Sequence, residues 1–249
     1  MRQPHKGEIQ VSDQVADIII KYPQLLKPFL NMDIRPSLGN TTLQEACDGK
    51  SMDLELCIEL LRLTIDSRYK PQSVSRYALL PLVDYYSKSL SELRPWLRIL
   101  GQHFQRMSES QKEEIGYVAV INFYETYAKR LERFISTQEQ QLKDTVTHLY
   151  ELFYSPVLSE EDLELLKNAT NLTNKEGEIP SNELQDILSL LLRHTKAPEN
   201  PILYCGAMQQ LSELKSGIDS LNDIRAKLLY PMVNEMVRHI RKRKIETEA

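Results

Sequence analysis

The chain has 249 residues and 28.9 kDa, with 41% hydrophobic and 27% charged side chains. This excludes an intrinsically disordered polypeptide and allows one large domain, or a main domain with a small companion. A formal net charge of -4 gives no electrostatic argument for nucleic acid or for an acidic ligand.

Only 8 Gly stand against many Leu, Glu, Lys and Gln, a balance that favours helices over turn-rich sheets. Three cysteines, Cys47, Cys57 and Cys205, show no CxxC spacing. Cys47 and Cys57 form at most one bridge, so a disulfide scaffold is excluded and buried thiols of a reducing compartment are expected. The start, MRQPHKGEIQ, is polar and lacks the apolar core of a signal peptide. No apolar run approaches membrane-spanning length, so a soluble cytoplasmic protein with no membrane partner is expected.

In chain order, Ser12 and Asp13 are placed to cap a helix carrying Val15, Ile18, Ile19 and Ile20. Pro23 and Pro28 break the next stretch into short pieces with Leu25, Leu26, Phe29 and Leu30 apolar. RPSLGN, Arg35 to Asn40, reads as a turn. Thr42 and Glu45 fit a capping box, and Gly49 ends that short helix. Asp53 to Ile65 reads as a further helix with Leu54, Ile58 and Leu61 on one side. A module of small helices over 1–67 is therefore expected, with a polar linker over 68–77.

From residue 78 the periodic stretches lengthen. Ala78 to Met107 reads as helical with a kink at Pro95. Ser110 is placed to cap a helix running to about Phe153, and Ser159 with Asp162 to cap Glu160 to Ala169. Thr173 to Asn182 reads as a loop, Leu184 to His194 as a helix, and Ile202 to about Lys244 as a helix containing Pro231. With no useful alternating pattern, the predicted class is all-α: an antiparallel four-helix bundle over 78–249 after the small N-terminal module.

The phosphate-loop, dinucleotide and zinc-protease motifs GxxxxGK[ST], GxGxxG and HExxH are absent, and no catalytic residue is singled out. Five histidines remain: His5, His103, His148, His194 and His239. Asp144, His148 and Glu151 share a helix face, as do Glu235 and His239. Such pairs bind a divalent ion in some bundles, and more often are solvated faces. RHIRKRK, Arg238 to Lys244, is basic enough to touch phosphate, but a cationic segment also complements a helix C-terminus, and that simpler role is preferred.

Several stretches carry a resemblance. VADIIIKYPQLLKPFLNMDIRPSLGNTTLQEAC, INFYETYAKRLERFISTQEQQL and LNDIRAKLLYPMV are similar to the N-terminal domain and to the second and fourth bundle helices of the bacterial iron-centre repair proteins. These join a short Cys-containing domain to a hemerythrin-like (HHE) bundle, and the similarity spans nearly the whole chain. It implies a diiron site built from His and Glu at HxxxE spacing, and a cysteine pair in the first domain. Here those positions fall on Tyr86 or Leu90 in the first helix, Phe134 and Gln138 in the second, the loop near Gly177 in the third, and Leu221 and Arg225 in the fourth; the cysteine pair falls on Pro36 and Ser37.

Phe134 and Leu221 have no lone pair to offer, and Arg225 sets a fixed positive charge where two cations would sit. The resemblance with its ligands lost implies a metal-free, cofactor-free, non-enzymatic hemerythrin-like protein acting through a protein partner or as a homo-oligomer in a stress response. The alternatives are a non-haem iron protein of iron handling or iron–sulfur repair under oxidative or nitrosative stress, and a bundle holding a small ligand. Phe134 and Leu221 are expected in the core, and Arg225 is expected to meet a carboxylate such as Glu125 or Glu132.

Overall fold

A computed structural model describes residues 9–35, 39–48, 50, 52–71, 79–110, 115–155, 159–173, 178–196 and 201–248. Among these the protein is all-α, with one isolated β-bridge between Gln14 and Thr42 and no strand. The helices are α1 Val15–Lys21, a 3-10 turn Pro23–Leu25, α2 Leu26–Asn31, α3 Leu43–Cys47, α4 Leu54–Ile65, α5 Leu79–Ser91, α6 Leu93–Ser110, α7 Ile115–Tyr154, α8 Glu160–Thr173, α9 Asn182–His194 and α10 Pro201–Ile224. A π-helical segment, Arg225–Leu229, then leads into α11, Tyr230–Glu248. No helix among the described residues is long and apolar enough to cross a membrane.

Local chemistry explains most helix ends. Thr42 and Glu45 form the expected capping box, and Asp53 accepts from the backbone N–H groups of Glu55 and Leu56. Ser159 and Asp162 exchange the same reciprocal bonds, 3.2 Å and 2.7 Å, at the start of α8. The first helix differs from its expectation. Its N-cap is Gln14, while Asp13 is turned back to accept from the Gln10 N–H at 2.8 Å. Ser110, expected to start α7, is the last residue of α6, and α7 begins at Ile115.

Proline positions give two further differences. The break between α5 and α6 falls at Glu92, three residues before Pro95. A proline lacks the N–H for the carbonyl four residues back and its ring crowds that carbonyl, here Ser91, so it is accommodated in the first turn of a new helix and not as a kink. The last helix is interrupted just before Pro231, where the Tyr230 N–H donates to the Arg225 carbonyl five residues back. The inserted residue widens the turn at the point where Pro231 removes a donor.

The contacts divide the chain into two compact units. The first takes Met1–Ser89, Leu142–Glu176 and Asp223–Ala249. Leu25, Phe29, Leu43, Leu56 and Leu60 form its small-helix core. Asn31 Nδ2 donates to Ser89 Oγ at 2.8 Å in the interior, and Lys88 Nζ meets both Asp33 (2.6 Å) and the Leu30 carbonyl (3.2 Å). Lys88 thus satisfies a carbonyl at the end of α2, where Asp33 adopts a left-handed φ of 58°. At the other end, Arg243 donates to the carbonyls of Leu152, Phe153 and Ser155 and caps the C-terminus of α7. Within the basic segment, Arg243 thus complements the C-terminus of α7.

The second unit takes Leu90–Gln141 and Gly177–Asn222. Its buried stripes are Leu97, Leu100 and Phe104 on α6, Leu184, Ile187 and Leu191 on α9, and Leu211, Leu214 and Ile218 on α10. On α7 the stripe is aromatic, and each phenol finds a backbone acceptor: Tyr117 donates to the Lys196 carbonyl and Tyr127 to the Pro180 carbonyl, both at 2.8 Å, and Tyr124 donates to the Leu97 carbonyl. Two glycines permit close approach. A Cβ at Gly116 would lie 2.5 Å from the His194 carbonyl oxygen, and one at Gly101 would lie 3.3 Å from the Tyr124 ring.

Candidate functional site

The positions implied for a diiron site are distributed over both units. Tyr86 and Arg225 belong to the first; Leu90, Phe134, Gln138 and Leu221 belong to the second. Pro36, Ser37 and Gly177 lie outside the described residues.

Helix register decides what each position does. On α7 the buried i, i+4 pair is Leu131 and Ile135. Phe134 is one residue earlier than Ile135, about 100° around the helix, and it is half-exposed, as is Gln138. The expectation that Phe134 is a core residue is therefore corrected: the core stripe runs beside it. Leu221 is buried, in line with the α10 stripe Leu214, Ile218, Leu221. Leu90 is fully buried.

Arg225 is only 4% exposed and occupies the first position of the π-helical turn. The wider turn buries Ile224, Arg225, Leu228 and Leu229 together. Its guanidinium acts on Tyr86, a fully buried phenol on α5. Burial pushes Tyr86 up to about 12, and the nearby positive charge of Arg225 works against that rise. Glu125 and Glu132, the carboxylates expected to meet Arg225, are exposed and line a groove of the second unit.

These residues do not fit a diiron centre. Tyr86, Gln138 and Arg225 contribute a hydroxyl, an amide and a cation, and Leu90, Phe134 and Leu221 contribute no donor atom. The alternative set does not gather either. His148 Nε2 lies 3.6 Å from Asp162 of α8, and His239 Nε2 lies 3.8 Å from Glu235 on its own helix. No group of three His, Cys, Asp or Glu able to hold a metal ion is found among the described residues. Asp162 is held below the usual carboxylate range first by the Ser159 backbone bond and only lastly by His148, so that pairing belongs mainly to the helix cap.

Two features escaped the sequence reading. Asn222 makes a two-way bond with the backbone of Ile179: the Ile179 N–H donates to Asn222 Oδ1 and Asn222 Nδ2 donates to the Ile179 carbonyl, both at 2.9 Å. One amide side chain thus satisfies both backbone groups of Ile179 in the segment before α9. The second is an open groove of about 600 Å³ between α6 and α7, lined by Arg94, Arg98, Tyr124, Glu125, Lys129 and Glu132 among others. One wall is fixed by Arg94, whose guanidinium grips both oxygens of Glu139 at 3.0 Å and 2.7 Å and reaches Ser136 Oγ at 3.2 Å. Arg98 and Lys129 are exposed. The tyrosine stripe at 117, 124 and 127 has helical spacing and was legible in principle; Asn222 carried no signal, because its partner is a backbone group 43 residues away.

The chain matches no protein-family model, no curated protein and no solved structure.

Proposed function

We propose that the chain is a non-catalytic, metal-free hemerythrin-like protein that acts by holding a protein partner, with residues 1–67 as an N-terminal module and 78–249 as the bundle-like part. The observation that carries this reading is Arg225. A guanidinium at 4% exposure beside Tyr86 stands at a position where the resemblance implies a carboxylate ligand. A fixed cation there opposes binding of further cations, and the side chains at the other aligned positions supply too few donors.

Partner binding draws support from the α6–α7 groove, whose mixed charges and pinned Arg94 offer an ordered polar surface. A stress-response role and a cytoplasmic location rest on the resemblance and belong to the same proposal. The test is elemental analysis of protein purified from iron-supplemented cells. Substoichiometric iron, zinc and manganese is the expected result. About two irons per chain, the content of a family-type dinuclear centre, would overturn the proposal.

A further inference from the structure

The segment that follows α4 is tied down at two points within the first unit, and the proposed function uses neither. Glu59 on α4 is a carboxylate at 6% exposure. Its Oε1 accepts from the Tyr69 hydroxyl at 2.8 Å and from Arg62 Nη1 at 3.2 Å, and the same Nη1 reaches the Tyr69 oxygen at 3.3 Å. The Arg62 guanidinium also lies over the Tyr69 ring, 5.8 Å from its centre. Two residues before Tyr69, the Ser67 carbonyl accepts from Lys227 Nζ, an ammonium in the middle of the π-helical turn and 160 residues further along the chain. Lys227 is held in turn by Asp223 at 2.7 Å. Between these anchors the turn is stiffened by its own bonds. Asp66 Oδ1 accepts from the Arg68 N–H at 2.9 Å, and the Tyr69 N–H donates to the Asp66 carbonyl at 2.9 Å.

We propose that residues 66–69 form a strap that latches α4 to the π-helical turn, and that strap and turn open together as one cooperative unit without global unfolding. A turn stiffened in this way does not release Tyr69 and keep Ser67 in place, which couples the two anchors. The anchoring side chains Arg62, Tyr69 and Lys227 are all half-buried and none belongs to the core. Segments held by such contacts lie at the low end of local stability. The closed form also leaves Glu59 incompletely served: its Oε2 is buried and meets no donor among the described residues. Opening gives that oxygen access to water, which favours the open form. On the far side, a π-turn is a rare conformation. Loss of the Lys227 bond to the strap is therefore felt at the Tyr230 N–H, which donates to the Arg225 carbonyl across that turn. Opening uncovers the Glu59 carboxylate and the Arg62 guanidinium on α4. This inference is independent of the metal-free reading.

The experiment is native-state amide hydrogen exchange, read by NMR on the full chain over a series of low urea concentrations. In the unchanged protein the amides of Asp66, Tyr69 and Tyr230 are expected to share one opening equilibrium and one urea slope, the slope smaller than that of Leu60 and Leu61 in the core of the first unit. Two variants probe the coupling from opposite ends. Tyr69→Phe removes the hydroxyl and keeps the ring, and Lys227→Met removes the ammonium and keeps most of the stem. Each is expected to speed exchange at the anchor it does not touch, Tyr69→Phe at Tyr230 and Lys227→Met at Tyr69, by about fivefold, the effect of one net hydrogen bond. Ile187 and Leu191 of the second unit are expected to be unchanged. Separate slopes for Tyr69 and Tyr230, a slope shared with Leu60, or acceleration confined to the mutated side would overturn the proposal. Where a variant does not fold, the urea series on the unchanged protein decides.

Discussion

Replacing Arg225 by Ala and by Met separates the volume of this side chain from its charge. Arg225 is 4% exposed, so truncation to Ala removes two buried methylenes and the guanidinium and leaves a cavity in the first unit. Buried long side chains cut back to Ala cost about 2–5 kcal/mol. Relief of the buried charge offsets part of that. The net expectation for Arg225→Ala is about 3 kcal/mol. Met keeps most of the stem, and neutral replacements of buried charges are often tolerated, so Arg225→Met is expected within about 1 kcal/mol of the unchanged protein. Urea denaturation followed by far-UV circular dichroism, with an unchanged m-value, measures both. A second readout is the Tyr86 phenol: without the nearby positive charge it should ionise at higher pH than its value of about 12. A change within about 0.5 kcal/mol for Arg225→Ala would place the side chain at the surface and refute the reasoning. Equal losses for Ala and Met would show that the first unit requires the charge and not the volume.

The contrast between Leu221 and Phe134 tests the helix register: Leu221→Ala should cost about 2–5 kcal/mol, and half-exposed Phe134→Ala less, with the opposite order in denaturant melts returning Phe134 to the core. Asn222→Asp keeps the acceptor for the Ile179 N–H but sets a carboxylate against the Ile179 carbonyl; a loss of about 1–3 kcal/mol is expected in the same assay. Alkaline stability is set in part by the buried tyrosines. Burial raises Tyr86 to about 12 and Tyr124 and Tyr127 further, each from an ordinary value near 10. Between pH 10 and 12 the unfolded chain loses these protons while the native chain keeps them, so their contribution is intact below about pH 10 and falls by about 1.4 kcal/mol per pH unit for each tyrosine above it. Melts across this range, with near-ultraviolet absorbance reporting phenolate, check the sign; stability that rises with pH there would contradict the burial of all three.

The all-helical class was legible in the sequence because it rests on local terms. Thr42 with Glu45, Asp53, and Ser159 with Asp162 mark helix starts through bonds that span at most three residues. The long periodic stretches needed only their apolar spacing. What the tertiary structure alone decided is which face of each helix is inside. The Phe134–Gln138 spacing is as helical as that of Leu131–Ile135, and only packing selects the second pair, since one residue of rotation separates them. The π-helical turn at Arg225–Leu229 likewise combines a local cause, Pro231, with a non-local outcome, the burial of Arg225 beside Tyr86. Asn222 on Ile179 was not predictable from spacing, because a hydrogen bond between separate elements depends on where the backbone returns.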